Sequence, residues 1–152
     1  MKRIKVGDVF EITTPNGKAY FQYVHNNPEV CELIRILPGV YFQQPRDLLS
    51  LINKKELYLI HFPLKAAYKE EIVNLIGSFD LPDGFQLPKN MRSDHIDGNG
   101  NRIWHIIDYD TWQRESIKIL SDEQKKLSPW EIWNDTLLIE RISEEWTLEK
   151  WV

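Results

Sequence analysis

The chain has 152 residues, 42% hydrophobic and 28% charged, with one cysteine and a net charge of −4. These values exclude disorder, coiled coil and collagen, and the length suits a single domain, residues 1–152, that buries about two-thirds of its unfolded surface without a disulfide or metal staple. Lone Cys31, in the apolar run Val30-Cys31-Glu32-Leu33-Ile34, reads as a small hydrophobe. The start Met1-Lys2-Arg3-Ile4-Lys5 leads into no apolar segment of signal-peptide or membrane type, so a reducing cytoplasm is the expected compartment.

In chain order, Val9 to Thr13 and Ala19 to His25 read as strands joined through Pro15-Asn16-Gly17, because Asn-Gly accepts the positive φ of a tight hairpin. Val30 to Leu37 adds a third strand, ended by Pro38-Gly39, giving an antiparallel meander. Pro45 to Asn53 predicts a short helical or irregular segment, and Leu57 to Phe62 a strand stopped by Pro63. Leu64 to Phe79 fits a helical stripe, or one helical turn followed by a strand over Ile72–Gly77. The β-branched content favours the second.

Asp80 to Asn101 is rich in Pro and Gly and predicts a long surface loop, with a hairpin tip at Asp97-Gly98-Asn99-Gly100-Asn101. Ile103–Tyr109 and Ser116–Leu120 read as strands, and Ser121–Leu127 as a helical turn or two capped by Ser121. Ser128-Pro129-Trp130-Glu131 has the form of a capping box with Pro at the first helical position, predicting a helix from Pro129 into the 140s. The expected class is α+β, mainly antiparallel and partly barrel-like, with short helices and a C-terminal helical element.

Catalytic signatures are sparse. His25, His61 and His105 lie in or beside apolar strands, and no His-x-x-x-His pair occurs. His95, between Asp94 and Asp97, is the one imidazole flanked by carboxylates, a pattern that can hold a metal or poise a base. It supports an alternative reading as a small hydrolase or metal-dependent enzyme. Asp97-x-Asn99-x-Asn101 imitates the start of a calcium loop, yet Arg102 stands where the sharp turn needs Gly. No nucleophile elbow and no phosphate-cradling glycine loop is present, so no catalytic, cofactor or metal residue is assigned and a non-enzymatic binding role is expected.

Charge and tryptophan are unevenly spread. Residues 1–76 carry a net +2, residues 77–152 a net −6, and all six tryptophans lie in the acidic half. Glu131 and Asp135 flank Trp130 and Trp133, whereas a nucleic-acid surface would interleave Lys and Arg with its aromatics. A nucleic-acid or regulatory β-barrel module is therefore disfavoured, and a basic protein partner fits. The expected contacts are the charges Asp94, Asp97, Asp108, Asp110 and Glu145 and the aromatic anchors Trp112 and Trp130. A Trp-rich core beneath a solvated acidic surface is the competing reading.

Lys5-Val6-Gly7-Asp8-Val9-Phe10-Glu11-Ile12, Ala19-Tyr20-Phe21-Gln22-Tyr23-Val24 and Trp133-Asn134-Asp135-Thr136-Leu137-Leu138-Ile139-Glu140-Arg141-Ile142 resemble the immunity protein 26 family of bacterial polymorphic toxin systems. The resemblance covers most of the chain loosely and is firmest at its two ends. It implies a largely β protein that binds and neutralises a cognate toxin, and it brings no catalytic residue or cofactor with it.

Overall fold

The computed structural model describes residues 2–152; Met1 of the expected single domain lies outside the described residues. The described strands form two antiparallel sheets and no closed barrel. In the larger, β1 (Asp8–Thr14), β2 (Gly17–Asn26), β3 (Glu32–Ile36), β4 (Tyr58–His61) and β5 (Val73–Ser78) lie in the order β4-β3-β2-β1-β5. In the smaller, β6 (Asn90–Ile96), β7 (Arg102–Asp108) and β8 (Arg114–Ile117) are consecutive. The helices are short: α1 (Leu48–Ile52), α2 (Leu64–Lys69) and α3 (Asp135–Ser143).

The predicted meander is present, with Thr14 opposite Gly17 closing the first hairpin. The positive φ falls on Gly17, at 135°, where a Cβ would sit 2.7 Å from the Tyr41 carbonyl oxygen. Asn16 instead donates from Nδ2 to the Ser143 carbonyl at 3.0 Å and ties the turn to the end of α3. One helical turn followed by a strand, the favoured reading of Leu64–Phe79, is what forms, and β5 pairs antiparallel with β1.

Period-2 alternation places Phe10, Ile12 and Phe21 on one face of the large sheet, packed with Phe62, Trp133 and the α3 residues Leu138 and Ile142. Val9, Tyr20 and Leu37 face the other way against Leu51 and Ile52 of α1. Val24, Leu33 and Leu59 meet Met91 of β6 and Tyr109 just after β7, so a third cluster joins the two sheets. Arg35 is fully buried in β3, donating to Gln22 Oε1 at 2.8 Å and to the Ile52 carbonyl, with Glu56 at 3.5 Å.

Two expectations are overturned. The loop over Asp80–Asn101 contains β6, whose residues lack the β-branched character of a typical strand. Pairing along all of β7 and full burial of Met91 and Arg92 hold it extended. The predicted helix at Pro129 is also extended chain. Ser128 Oγ accepts from the Leu59 N–H at 2.9 Å, the Trp130 N–H donates to the Arg92 carbonyl at 2.7 Å, and the Trp133 N–H to the His61 carbonyl at 3.0 Å. Residues 128–133 thus bridge β6 of one sheet to β4 of the other. Helix α3 starts later, capped by Asn134, whose Oδ1 accepts from the Leu137 N–H at 2.8 Å. The predicted Ser121 cap forms reciprocally with Gln124 around a short 3₁₀ turn.

Candidate functional site

The loop from β7 to β8 is built by one side chain. Asp108 Oδ1 accepts from the Asp110 and Thr111 N–H groups, both at 2.9 Å, and the Trp112 N–H closes onto the Asp108 carbonyl at 2.9 Å. These amides, Thr111 foremost, hold the Asp108 carboxyl below the usual carboxylate range, with Lys89 adding to the effect. The closure places Trp112 at φ 63°, a left-handed conformation that a bulky side chain rarely adopts. Its indole is consequently 44% exposed at the loop tip instead of packed inward.

Beneath it lies Trp130, carried by the extended segment that joins the sheets. The two indoles pack at 5.7 Å between centroids. Trp130 is T-shaped against His61 at 5.5 Å and Tyr109 at 5.9 Å, and the His61 and Tyr109 rings stack at 5.6 Å. His61 Nε2 is 3.0 Å from the Tyr109 hydroxyl. Burial foremost, with the nearby His25, pulls the His61 imidazole down to about 4, so it is neutral at physiological pH. Glu29, Val30, Glu131 and exposed Ile132 complete an open cleft of about 330 Å³ beside Trp130.

This face therefore combines aromatic and aliphatic area with four carboxylates, Asp108, Asp110, Glu29 and Glu131. It brings together Asp108, Asp110, Trp112 and Trp130 of the expected contacts. The other three are elsewhere. Asp97 sits at the opposite end of the seven-residue β7, about 20 Å away, with its Oδ1 accepting from the Asn99 and Asn101 N–H groups. Asp94 accepts from Arg102 Nε at 2.8 Å. Glu145, at φ 55° after α3, borders a separate cleft of about 170 Å³ with Tyr58, Ile142 and Trp146.

Asp94, His95 and Asp97 do not converge, since Asp94 and His95 point to opposite faces of β6, and no group of three metal-ligating side chains occurs among the described residues. Cys31 is half-buried, its thiol pushed up to about 11 by burial and by Glu32. The tryptophans divide: Trp104 and Trp133 are core, Trp112 is exposed, and Trp130, Trp146 and Trp151 are half-buried.

Sequence reasoning missed Glu29, His61, Tyr109 and Ile132 as parts of this face, and marked Glu131 only as an acidic neighbour of Trp130. His61 in Leu57–Phe62 and Tyr109 at the end of β7 read as ordinary strand residues. Only the pairing of distant segments brings them to Trp130. No helix among the described residues is long and apolar enough to cross a membrane. No family model, curated protein or solved structure matches the chain.

Proposed function

We propose that this chain is a non-enzymatic binding protein that, like the immunity proteins its ends resemble, captures a basic toxin domain in the cytoplasm and neutralises it. The observation that carries the reading is the Trp112–Trp130 pair, one indole held out by a left-handed backbone and packed on a second, with carboxylates around both. Tryptophans in such positions are the commonest interface hot spots. Carboxylates beside them steer a basic partner in and pair with its Arg and Lys, whose cations also lie favourably over indole faces. A nuclease toxin, basic because it must bind phosphate, presents that chemistry.

The test begins with the gene neighbourhood. A basic toxin domain encoded immediately upstream is expected to form a one-to-one complex with this chain, with an association rate that falls steeply as salt rises. Trp112→Ala should weaken the complex by about 2 kcal/mol or more, roughly 30-fold, a hot-spot effect. Folding stability should stay within about 1 kcal/mol. Unchanged affinity in both Trp112→Ala and the Asp108→Asn/Asp110→Asn double variant would move the interface elsewhere. A gene placed alone among metabolic genes, with no basic partner beside it, counts against the reading as a whole.

A further inference from the structure

The small sheet carries a second constellation, remote in kind from the aromatic face. His105 on β7 stands opposite Ser116 of β8 and opposite Ser93 of β6, and His95 lies diagonally across from it on the same face. His95 Nδ1 is 2.7 Å from His105 Nε2, with the two rings 8° from parallel. On its other side, His105 Nδ1 is 2.9 Å from Ser116 Oγ. We propose that His95 and His105 form a two-imidazole site for a divalent transition cation of the copper and nickel kind, with Ser116 as the positioning residue.

Three features support the assignment. The first is distance. Two imidazole nitrogens bound at about 2.0–2.1 Å and at a right angle lie about 3 Å apart, and at a tetrahedral angle about 3.4 Å apart. The observed 2.7 Å joins two nitrogens that face each other across nearly parallel rings, so the first arrangement needs a few tenths of an ångström of opening, the second more, and both need the exposed His95 ring to turn until the two lone pairs converge on the cation. Square-planar and tetragonal geometry is the preference of Cu²⁺ and Ni²⁺, and imidazole suits both.

The second is tautomer. A ligating histidine commonly donates its other N–H to an oxygen, which fixes the ring and leaves the ligating nitrogen its lone pair. Ser116 Oγ is placed to accept the N–H of His105 Nδ1 and so leaves Nε2 free to ligate. For His95 to ligate through Nδ1, the proton that this nitrogen contributes to the pair moves to its own Nε2 through solvent.

The third is access. His105 is 7% exposed and held in place, whereas His95 is exposed and free to tilt, so the cation enters from solvent and its remaining positions are filled by water. Asp94 supplies no ligand, because it points to the opposite face and accepts from Arg102. Arg114, two residues before Ser116 on the same face of β8, opposes a cation. Its removal should therefore tighten binding, which a purely structural histidine pair would not produce.

Calorimetric titration of the full chain with Cu²⁺, Ni²⁺ and Zn²⁺, with Mg²⁺ as the control, tests this. One saturable site is expected, tightest for Cu²⁺ and silent with Mg²⁺, with nitrogen coordination in the electron paramagnetic resonance spectrum of bound Cu²⁺. His95→Ala, at an exposed strand position, should fold normally and lose the site. Ser116→Ala should weaken it about tenfold, as loss of a ligand's outer hydrogen bond does. Arg114→Gln should strengthen it. Absence of a saturable site in the unmodified chain, or Cu²⁺ affinity unchanged in folded His95→Ala, overturns the proposal.

Discussion

Arg92 is a fully buried guanidinium whose hydrogen bonds go to backbone carbonyls and, among the described residues, to no carboxylate. Nε donates to Leu127, Nη1 to Trp151 at 2.6 Å, and Nη2 to both Lys125 and Leu148. Trp104 and Trp151 lie 5.1 and 4.4 Å from its central carbon, so the planar cation is also held by indole faces. Burial draws its pKa down to about 10, which leaves it charged at neutral pH. Arg92→Met should cost about 3–5 kcal/mol in urea denaturation, since each buried carbonyl left without a donor costs about 1–3 kcal/mol. Arg92→Lys should recover little, because an ammonium lacks the planar fork that reaches separated carbonyls. A midpoint shift too small to measure would show that water replaces the guanidinium. Trp112 is the opposite case, a large side chain that adds little to the core. Trp112→Gly should remove about 1 kcal/mol of left-handed strain while abolishing the proposed anchor, so stability and partner affinity move in opposite directions.

At the scale of elements, the segment before α3 shows how local and distant preferences compete. Ser128-Pro129-Trp130-Glu131 carries every local mark of a helix start, worth about 1 kcal/mol for a cap. Extended, the same residues satisfy the Leu59 N–H and the Arg92 carbonyl and lay Trp130 against His61 and Tyr109. Ser128→Ala should therefore destabilise the protein by about 1–3 kcal/mol through an orphaned strand amide, with no loss of helix in far-ultraviolet circular dichroism. Asn134→Ala should cost about 1 kcal/mol and fray α3, because Asn134 is the cap in use. If Ser128→Ala reduced helicity instead, the bridging role would be wrong. The β1–β2 hairpin and the Ser121 turn were legible because their partners lie within a few residues. β6 was not, since its pairing with β7 and its buried Met91 and Arg92 are set by residues from other elements.

Across the whole molecule, the sheets are held together by the Val24, Leu33, Leu59, Met91 and Tyr109 cluster and by the bridging segment, with His61 at the junction. His61 is lowered to about 4 from its ordinary 6.5, so the folded chain resists a proton that the unfolded chain accepts. Its contribution is fully present above pH 6.5, declines as pH falls towards 4, and levels off below that. That loss amounts to about 3 kcal/mol at most, from 1.36 kcal/mol per pKa unit. Urea midpoints measured between pH 7 and pH 4 should fall in that window, and His61→Gln should flatten the fall. A slope unchanged in His61→Gln would place the acid sensitivity on other groups.

The sequence by itself determined the antiparallel α+β class, the early meander and the concentration of acidic charge and tryptophan in the second half, and left Leu64–Phe79 open between a helix and a turn followed by a strand. Each follows from patterns that repeat within a few residues, where alternation and turn chemistry act. Only the tertiary structure decided that residues 128–133 are extended, that Trp104 and Trp133 are core while Trp112 is exposed, and that His95 meets His105. Local preferences amount to tenths of a kilocalorie up to about one per residue, whereas buried hydrogen bonds and apolar burial between distant segments add several, so where the two conflict the distant partners prevail.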